Sequence, residues 1–213
     1  MALSHSVSAT PLLTPIQPGN EMPLSSILDA IMVNDGISLQ RVSDDKDEFW
    51  ALAGLSTVLT RARFAGYDNT FGVIPETDSG LIGFQPLVSS LNGQGIDVSG
   101  GIETLLPSDL IGEFRLALLT PTGQIWSSRA IDNIDGMDHM VTWVDVNDPL
   151  HYFVAFDDLM FPYSDADYND IVLELRYVLD GPLAVPEPAT LALISIGLVG
   201  LGASRRRKGL RVQ

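Results

Sequence analysis

The sequence predicts an all-β fold: an antiparallel β-sandwich or jelly roll of about eight strands, with one short N-terminal helix and one C-terminal transmembrane helix. Three observations predict it. Apolar residues recur with a period of two through much of residues 57–177, between turns of Gly, Pro, Asn and Asp. The acids are 20 Asp against 7 Glu, alongside 19 Gly and 13 Pro. Glu suits helices, whereas Asp suits turns, caps and cation sites. Residues 189–203 carry no charge, and four bases follow at 205–208.

The elements follow in chain order. Residues 1–23 read as the remnant of an export signal and leader. They contain no Lys or Arg, yet Val7-Ser8-Ala9 has the small-residue spacing of a signal-peptidase site, with cleavage before Thr10. A longer leader is therefore expected upstream of Met1, and an in-frame stop codon directly upstream would refute it. Leu24 to Met32 places Leu24, Ile27, Leu28 and Ile31 on one helical face, with Ser25 or Ser26 as the cap and Asn34-Asp35-Gly36 as the terminating turn. Asp44 to Glu48 reads as a solvated acidic loop before an aromatic anchor, Phe49-Trp50.

The β domain, residues 24–180, then alternates. In Thr57–Ala65, Val58, Ala62 and Phe64 share a face opposite Arg61 and Arg63; Phe71–Ile74 and Leu81–Phe84 are shorter candidates. Phe114, Leu116 and Leu118 alternate with Arg115, Ala117 and Leu119, and Pro121-Thr122-Gly123 turns the chain into Gln124–Trp126. Residues 140–145, 150–156 and 171–177 complete the set. No helix alternates with the strands, so a parallel α/β sheet is not expected.

Charge narrows the function. With 27 acids against 12 bases the net charge is −15, which excludes nucleic acid as a partner because phosphate binding needs a basic face. The absence of Cys removes disulfides, zinc–thiolate sites and Cys nucleophiles. Between Ala130 and Leu175 lie eleven acids and no Lys or Arg. Unpaired neighbouring carboxylates repel, and a hard cation relieves them; Ca²⁺ takes six to eight oxygen ligands. The densest part is the segment 157–170, expected to close a hairpin. Asp157, Asp158, Asp165, Asp167, Asn169 and Asp170 are the candidate ligands, with help from Asp135 or Asp138. Asp165-x-Asp167-x-Asn169 opens like an EF-hand loop, but Asp170 stands where that loop needs Gly and Arg176 where it needs Glu. The competing reading is that these side chains merely cap turns, with their carboxylates in water.

No enzyme is expected. His5, His139 and His151 form no metal-binding pair, and there is no G-x-S-x-G motif. Paired Asp residues for glycoside hydrolysis carry the least weight. An alternative to a calcium-stabilised structural domain is a carbohydrate-binding module for exopolysaccharide, with Trp126, Trp143 or Tyr163 as a stacking platform.

The tail reads separately. Residues 181–188 form a linker, 189–204 the span and 205–213 a basic cytoplasmic tail. From Pro188 to Ser204 is 17 residues, about 25 Å as a helix, at the short limit for a bilayer. The bases that follow place that end in the cytoplasm. V-P-E-P-A-T, an apolar Gly-containing segment and R-R-R-K together resemble the PEP-CTERM sorting signal of Gram-negative bacteria. The resemblance implies recognition by an exosortase through Pro186, Glu187 and Pro188, with Arg205, Arg206, Arg207 and Lys208 as the basic terminus. It also implies export to the envelope or extracellular matrix after transient anchoring in the inner membrane.

A second resemblance covers most of residues 24–180. F-V-A-F-D-D-L and S-D-A-D-Y-N-D-I-V-L-E-L at 153–159 and 164–175 resemble a bacterial extracellular domain of unknown function with a D-x-D-Y-N-D acidic loop. D-E-F-W at 47–50, F-A-G-Y-D-N-T-F-G-V at 64–73 and G-M-D-H at 136–139 match it too. The family usually carries Gly in the loop, where this sequence has Phe161-Pro162-Tyr163. The resemblance implies an exported, β-rich, calcium-binding domain and no known reaction.

Overall fold

A computed structural model describes residues 21–77, 82–97 and 103–180 of the chain. Residues 1–20 of the export remnant (1–23), the linker and PEP motif, the span at 189–204 and the basic tail lie outside the described residues. No helix among the described residues is long and apolar enough to cross a membrane.

The described residues are mostly antiparallel sheet with one α-helix. In order, α1 (Leu24–Asp35) precedes β1 (Leu39–Arg41), β2 (Trp50–Arg63), β3 (Thr70–Pro75), β4 (Gln85–Val88), β5 (Gly95–Ile96) and β6 (Thr104–Leu105). Then come β7 (Glu113–Leu119), β8 (Ile125–Ser127), a 3₁₀ turn (Ala130–Asp132), β9 (Met140–Asp145), β10 (Asp148–Phe156) and β11 (Ile171–Asp180). Each expected strand has a counterpart. Leu81–Phe84 is the displaced one: 82–84 form a turn and the strand is β4. Three further strands of two or three residues, β1, β5 and β6, bring the number among the described residues to eleven.

The strand order is β1-β9-β10-β11-β2-β7-β3-β4, with β5 and β6 added to β2, and β8 to β7. Along a flat ladder, β3 and β10 would be four strand steps apart, about 19 Å. Yet the rings of Phe71 on β3 and Phe156 on β10 lie 6.1 Å apart, edge to face. The sheet therefore doubles back on itself, as a sandwich does. The two halves join where Trp50 and Ala51, at the start of β2, pair with Phe114 and Glu113. Between them lies the main core, which includes Trp50, Phe71, Phe114, Leu116, Trp126, Val154 and Leu173. Trp50, the first residue of β2, is the expected aromatic anchor, but the loop before it is not all solvated, since Asp47 is buried; Trp50 Nε1 donates to Asp47 O at 2.8 Å and its ring meets Tyr152 edge-on at 5.1 Å.

Helix α1 covers the outer face of the β9-β10-β11-β2 half. Ile27 and Ile31 pack there with Ala62, Phe64, Val141, Phe153, Ala155 and Val172. The expected apolar stripe is thus the buried one. The expected serine cap is not used: the helix starts at Leu24 behind Pro23, with no side-chain cap, so Ser25 and Ser26 sit inside the first turn. Gly36 ends it in the left-handed conformation (φ +67°), its N–H returning to Met32 O at 3.0 Å.

One expected face is corrected. Val58 points into the main core, whereas Ala62 and Phe64 point to the helix. The ladder skips a residue here: Leu173 pairs with Thr60 and Val172 with Ala62, leaving Arg61 as an extra residue. Such a bulge reverses the alternation beyond it. It also buries Arg61, whose guanidinium donates to Glu174 on β11 and to Asp35 at the end of α1, the latter at 2.7 Å.

Candidate metal centre

Residues 157–170 close the β10–β11 hairpin, whose last pair is Phe156 with Ile171. The loop runs into a strand, not a helix, in keeping with the departure from the EF-hand pattern. Asp157 organises it from inside. Its Oδ1 accepts Leu159 N at 3.0 Å, and its Oδ2 accepts Ala166 N at 3.1 Å and the Ser164 hydroxyl. Asp170 Oδ2 accepts Asp158 N at 2.8 Å, and Asp158 Oδ2 accepts Asn69 Nδ2 at 2.7 Å. Trp126 Nε1 holds Asp158 O at 2.9 Å. Ala166 and Tyr168 both take positive φ, +57° and +53°. Left-handed backbone costs a non-glycine residue about 1 kcal/mol or more. The surroundings hold it there: Tyr168 OH donates to Asp138 O at 3.0 Å and Asn169 Nδ2 to Met22 O at 3.1 Å.

This folding brings three carboxylates to one point. Oxygens of Glu21, Asp165 and Asp167 lie within 4.8 Å of one another. Asp167 is 3% exposed and Asn169 0%. Asp167 Oδ1 accepts Asn169 N at 3.2 Å, but Asp167 Oδ2 and Asn169 Oδ1 are buried with no hydrogen-bond partner among the described residues. Buried acceptors are nearly always satisfied, so two orphans in one loop call for an explanation.

The electrostatics agree. Burial pushes Asp167 up to about 7; Asp165, Glu21 and Asp157 add to it, against the hydrogen bond from Asn169 N. Burial pushes Asp158 up to about 6, with Asp157, Asp165 and Glu21 adding and Asn69 opposing. Asp157 and Asp170 also rise through burial, Asp170 well above the usual range. Glu21 rises through burial and Asp165. Among the described residues, no ion pair joins Asp157, Asp158, Asp165, Asp167 or Asp170 to Lys, Arg or His. Other acids of the base-free stretch do find cations from elsewhere in the chain. Glu174 meets Arg61, His151 and Arg176, and Asp132 meets Arg115 and Arg129. Among the described residues the loop thus holds five of the stretch's acids without a basic partner, and Asp138 and Asp148 lack one as well.

The candidate ligands separate accordingly. Asp165 and Asp167 stand at the cluster, Asn169 donates its backbone N–H to Asp167 Oδ1, and Asp157, Asp158 and Asp170 form the scaffold. Asp135 spends its carboxylate elsewhere, accepting His139 Nε2 at 3.0 Å, Phe161 N at 3.1 Å and Met137 N at 3.1 Å. Asp138 accepts Met140 N at 3.0 Å. Burial raises it to about 7 in the company of Asp44, Arg41 and Glu48. Two participants escaped the sequence reading. Glu21 lies in the stretch assigned to the leader, with no signal linking it to residues 144 positions away. Asn69 lies inside the F-A-G-Y-D-N-T-F-G-V segment, where the resemblance offered a hint.

The two tryptophans of the expected aromatic platform are withdrawn from solvent. Trp126 is 1% exposed and stacks on His139 at 3.8 Å, and Trp143 is half-buried with the Arg41 guanidinium 5.2 Å from its ring centre. Only Tyr163 of the three is exposed.

Comparison with known proteins bears on the tail. The PEP-CTERM protein-sorting motif matches residues 184–208. The match includes Pro186, Glu187 and Pro188 and the bases through Lys208, and does not reach the β domain. No curated protein matches the chain. The motif marks an exported protein of the cell envelope, sorted through the exosortase pathway.

Proposed function

We propose that this chain is a non-catalytic envelope or extracellular-matrix protein whose exported β domain is stabilised by a calcium ion at the 157–170 loop. The observation that carries the reading is the cluster of carboxylate oxygens from Glu21, Asp165 and Asp167, with Asp167 Oδ2 and, two residues on, Asn169 Oδ1 buried and without a hydrogen-bond partner among the described residues. Every donor offered there is oxygen, and the chain has no Cys. An all-oxygen, carboxylate-rich set suits a hard cation, and Ca²⁺ tolerates irregular loop geometry better than Mg²⁺. His139 is committed to Asp135 and to Asp157 O, so it adds no nitrogen ligand.

The non-catalytic part rests on the histidines. His139 and His151 are both buried and tied to carboxylates, His151 through Nε2 to Glu174 at 2.8 Å. They brace the domain rather than face a cleft. In this reading the segment 189–204 anchors the protein in the inner membrane of a Gram-negative cell until exosortase removes the tail. The mature protein then serves an exopolysaccharide matrix or biofilm.

Isothermal titration of the purified protein with CaCl₂ tests the metal. One site with a dissociation constant on the order of 10⁻⁴–10⁻³ M is expected, as for extracellular calcium modules. The Asp167→Asn variant is expected to show no saturable heat. Absence of saturable heat in the wild-type protein would remove calcium from the account.

A further inference from the structure

A cleft of about 430 Å³ opens beside the acidic loop. One wall is the loop itself, with Asp158, Leu159, Met160 and Tyr163; the other is the β7–β8 turn, with Thr122 and Gln124. Tyr67 and Trp126 also line it. The volume falls within the range of small-ligand sites, about 300–1,000 Å³. Tyr163 is 77% exposed and Tyr67 40%, two aromatic rings open to solvent beside the polar side chains of Thr122 and Gln124. Trp126 cannot serve as a platform, but it fixes the wall: its indole N–H holds Asp158 O at 2.9 Å.

We propose that this cleft binds a neutral glycan, with Tyr67 and Tyr163 stacking against sugar faces and Thr122 and Gln124 meeting its hydroxyl groups. The charge of the site selects the class. Asp158 is the one ionisable acid among the lining residues, which include no Lys, Arg or His. With a chain charge of −15 behind it, the cleft disfavours uronates, phosphates and nucleotides. A sugar ring offers a C–H face for an aromatic ring and hydroxyls that both donate and accept. That matches exposed tyrosines flanked by a hydroxyl and an amide. Neutral-glycan binding is expected with or without calcium, because the cleft and not the carboxylate cluster carries it.

The test is an array of immobilised neutral hexose and N-acetylhexosamine oligosaccharides, with uronate oligosaccharides as the anionic control, probed with the labelled full chain. Signal on neutral glycans is expected, weakened at least about tenfold in the Tyr67→Ala/Tyr163→Ala double variant. Both tyrosines are exposed, so the variant is expected to melt at the wild-type temperature, which a thermal scan verifies. No signal on any neutral glycan, signal on uronates alone, or equal binding by the double variant would each overturn the proposal. Running the array in calcium and in EDTA keeps it separate from the metal reading: neutral-glycan signal that persists in EDTA supports the cleft whatever the titration with calcium shows.

Discussion

At about 10 mM calcium, the thermal midpoint of the protein is expected to rise by about 5–10 °C over the EDTA-treated sample. The size follows from mass action. That concentration is about 100-fold above a dissociation constant on the order of 10⁻⁴ M, which contributes about 2.7 kcal/mol. A domain of this length gains roughly 2–4 °C per kcal/mol. The variants separate ligand from scaffold. Asp167→Asn and Glu21→Gln are expected to abolish the calcium shift while melting in EDTA at or above the wild-type midpoint, because each removes a carboxylate from an unrelieved cluster. Asp157→Asn is expected to lose about 1–3 kcal/mol with and without calcium, since its two oxygens accept from Leu159, Ser164 and Ala166 inside the loop. A wild-type midpoint identical in calcium and EDTA, or a shift retained by Asp167→Asn, would sink the assignment. Differential scanning calorimetry reads all four proteins.

Where the sequence and the fold diverge, the causes are physical. Strands β7, β9, β10 and β11 stand where alternation placed them, because alternate residues of each enter the main core. Strands β1, β5 and β6 have two or three residues each, too few to show a period. Strand β4 contains Pro86, which argues against a strand from sequence alone; it is tolerated because β4 ends the strand order and offers an edge. The reversal within β2 comes from one extra residue, Arg61, and nothing local announces a bulge. The acidic loop was legible because its carboxylates are close in sequence. Glu21 was not, since it arrives at the cluster by long-range folding. The partners of Glu174 and Asp132 were hidden for the same reason: Arg61 and Arg115 come from strands more than 15 residues upstream.

The Arg61→Ala variant is expected to lose about 3–5 kcal/mol of stability, the usual cost of stripping one partner from a buried ion pair. Arg61 donates to Glu174 and to Asp35 at 2.7 Å, and its guanidinium sits 5.8 Å from the centre of the Phe153 ring. Glu174 also accepts from His151 Nε2 at 2.8 Å and Arg176 Nε at 2.6 Å. Burial alone would raise Glu174, but hydrogen bonds from His151, Arg61 and Arg176 outweigh it and hold the carboxyl at about 2. A folded value below the unfolded one means that this stability is present above about pH 4.5 and is lost as pH falls towards 2. In urea titrations the wild-type protein should weaken across that window by up to about 3 kcal/mol more than Glu174→Gln, whose profile is expected to be flatter there. Equal slopes in the two proteins would refute the assignment. The same network bears on the metal. Arg61 ties down the C-terminal end of α1 through Asp35, while the residues just before α1 bring Glu21 to the cluster and Met22 O to Asn169. A 12-residue helix, about 18 Å long, thus links the buried ion pair to the cation site. Freeing its far end should make Glu21 less well placed. Arg61→Ala is therefore expected to weaken calcium binding in the titration although Arg61 is not itself a ligand, and unchanged affinity in a still-folded variant would show that α1 is positioned by its apolar face alone.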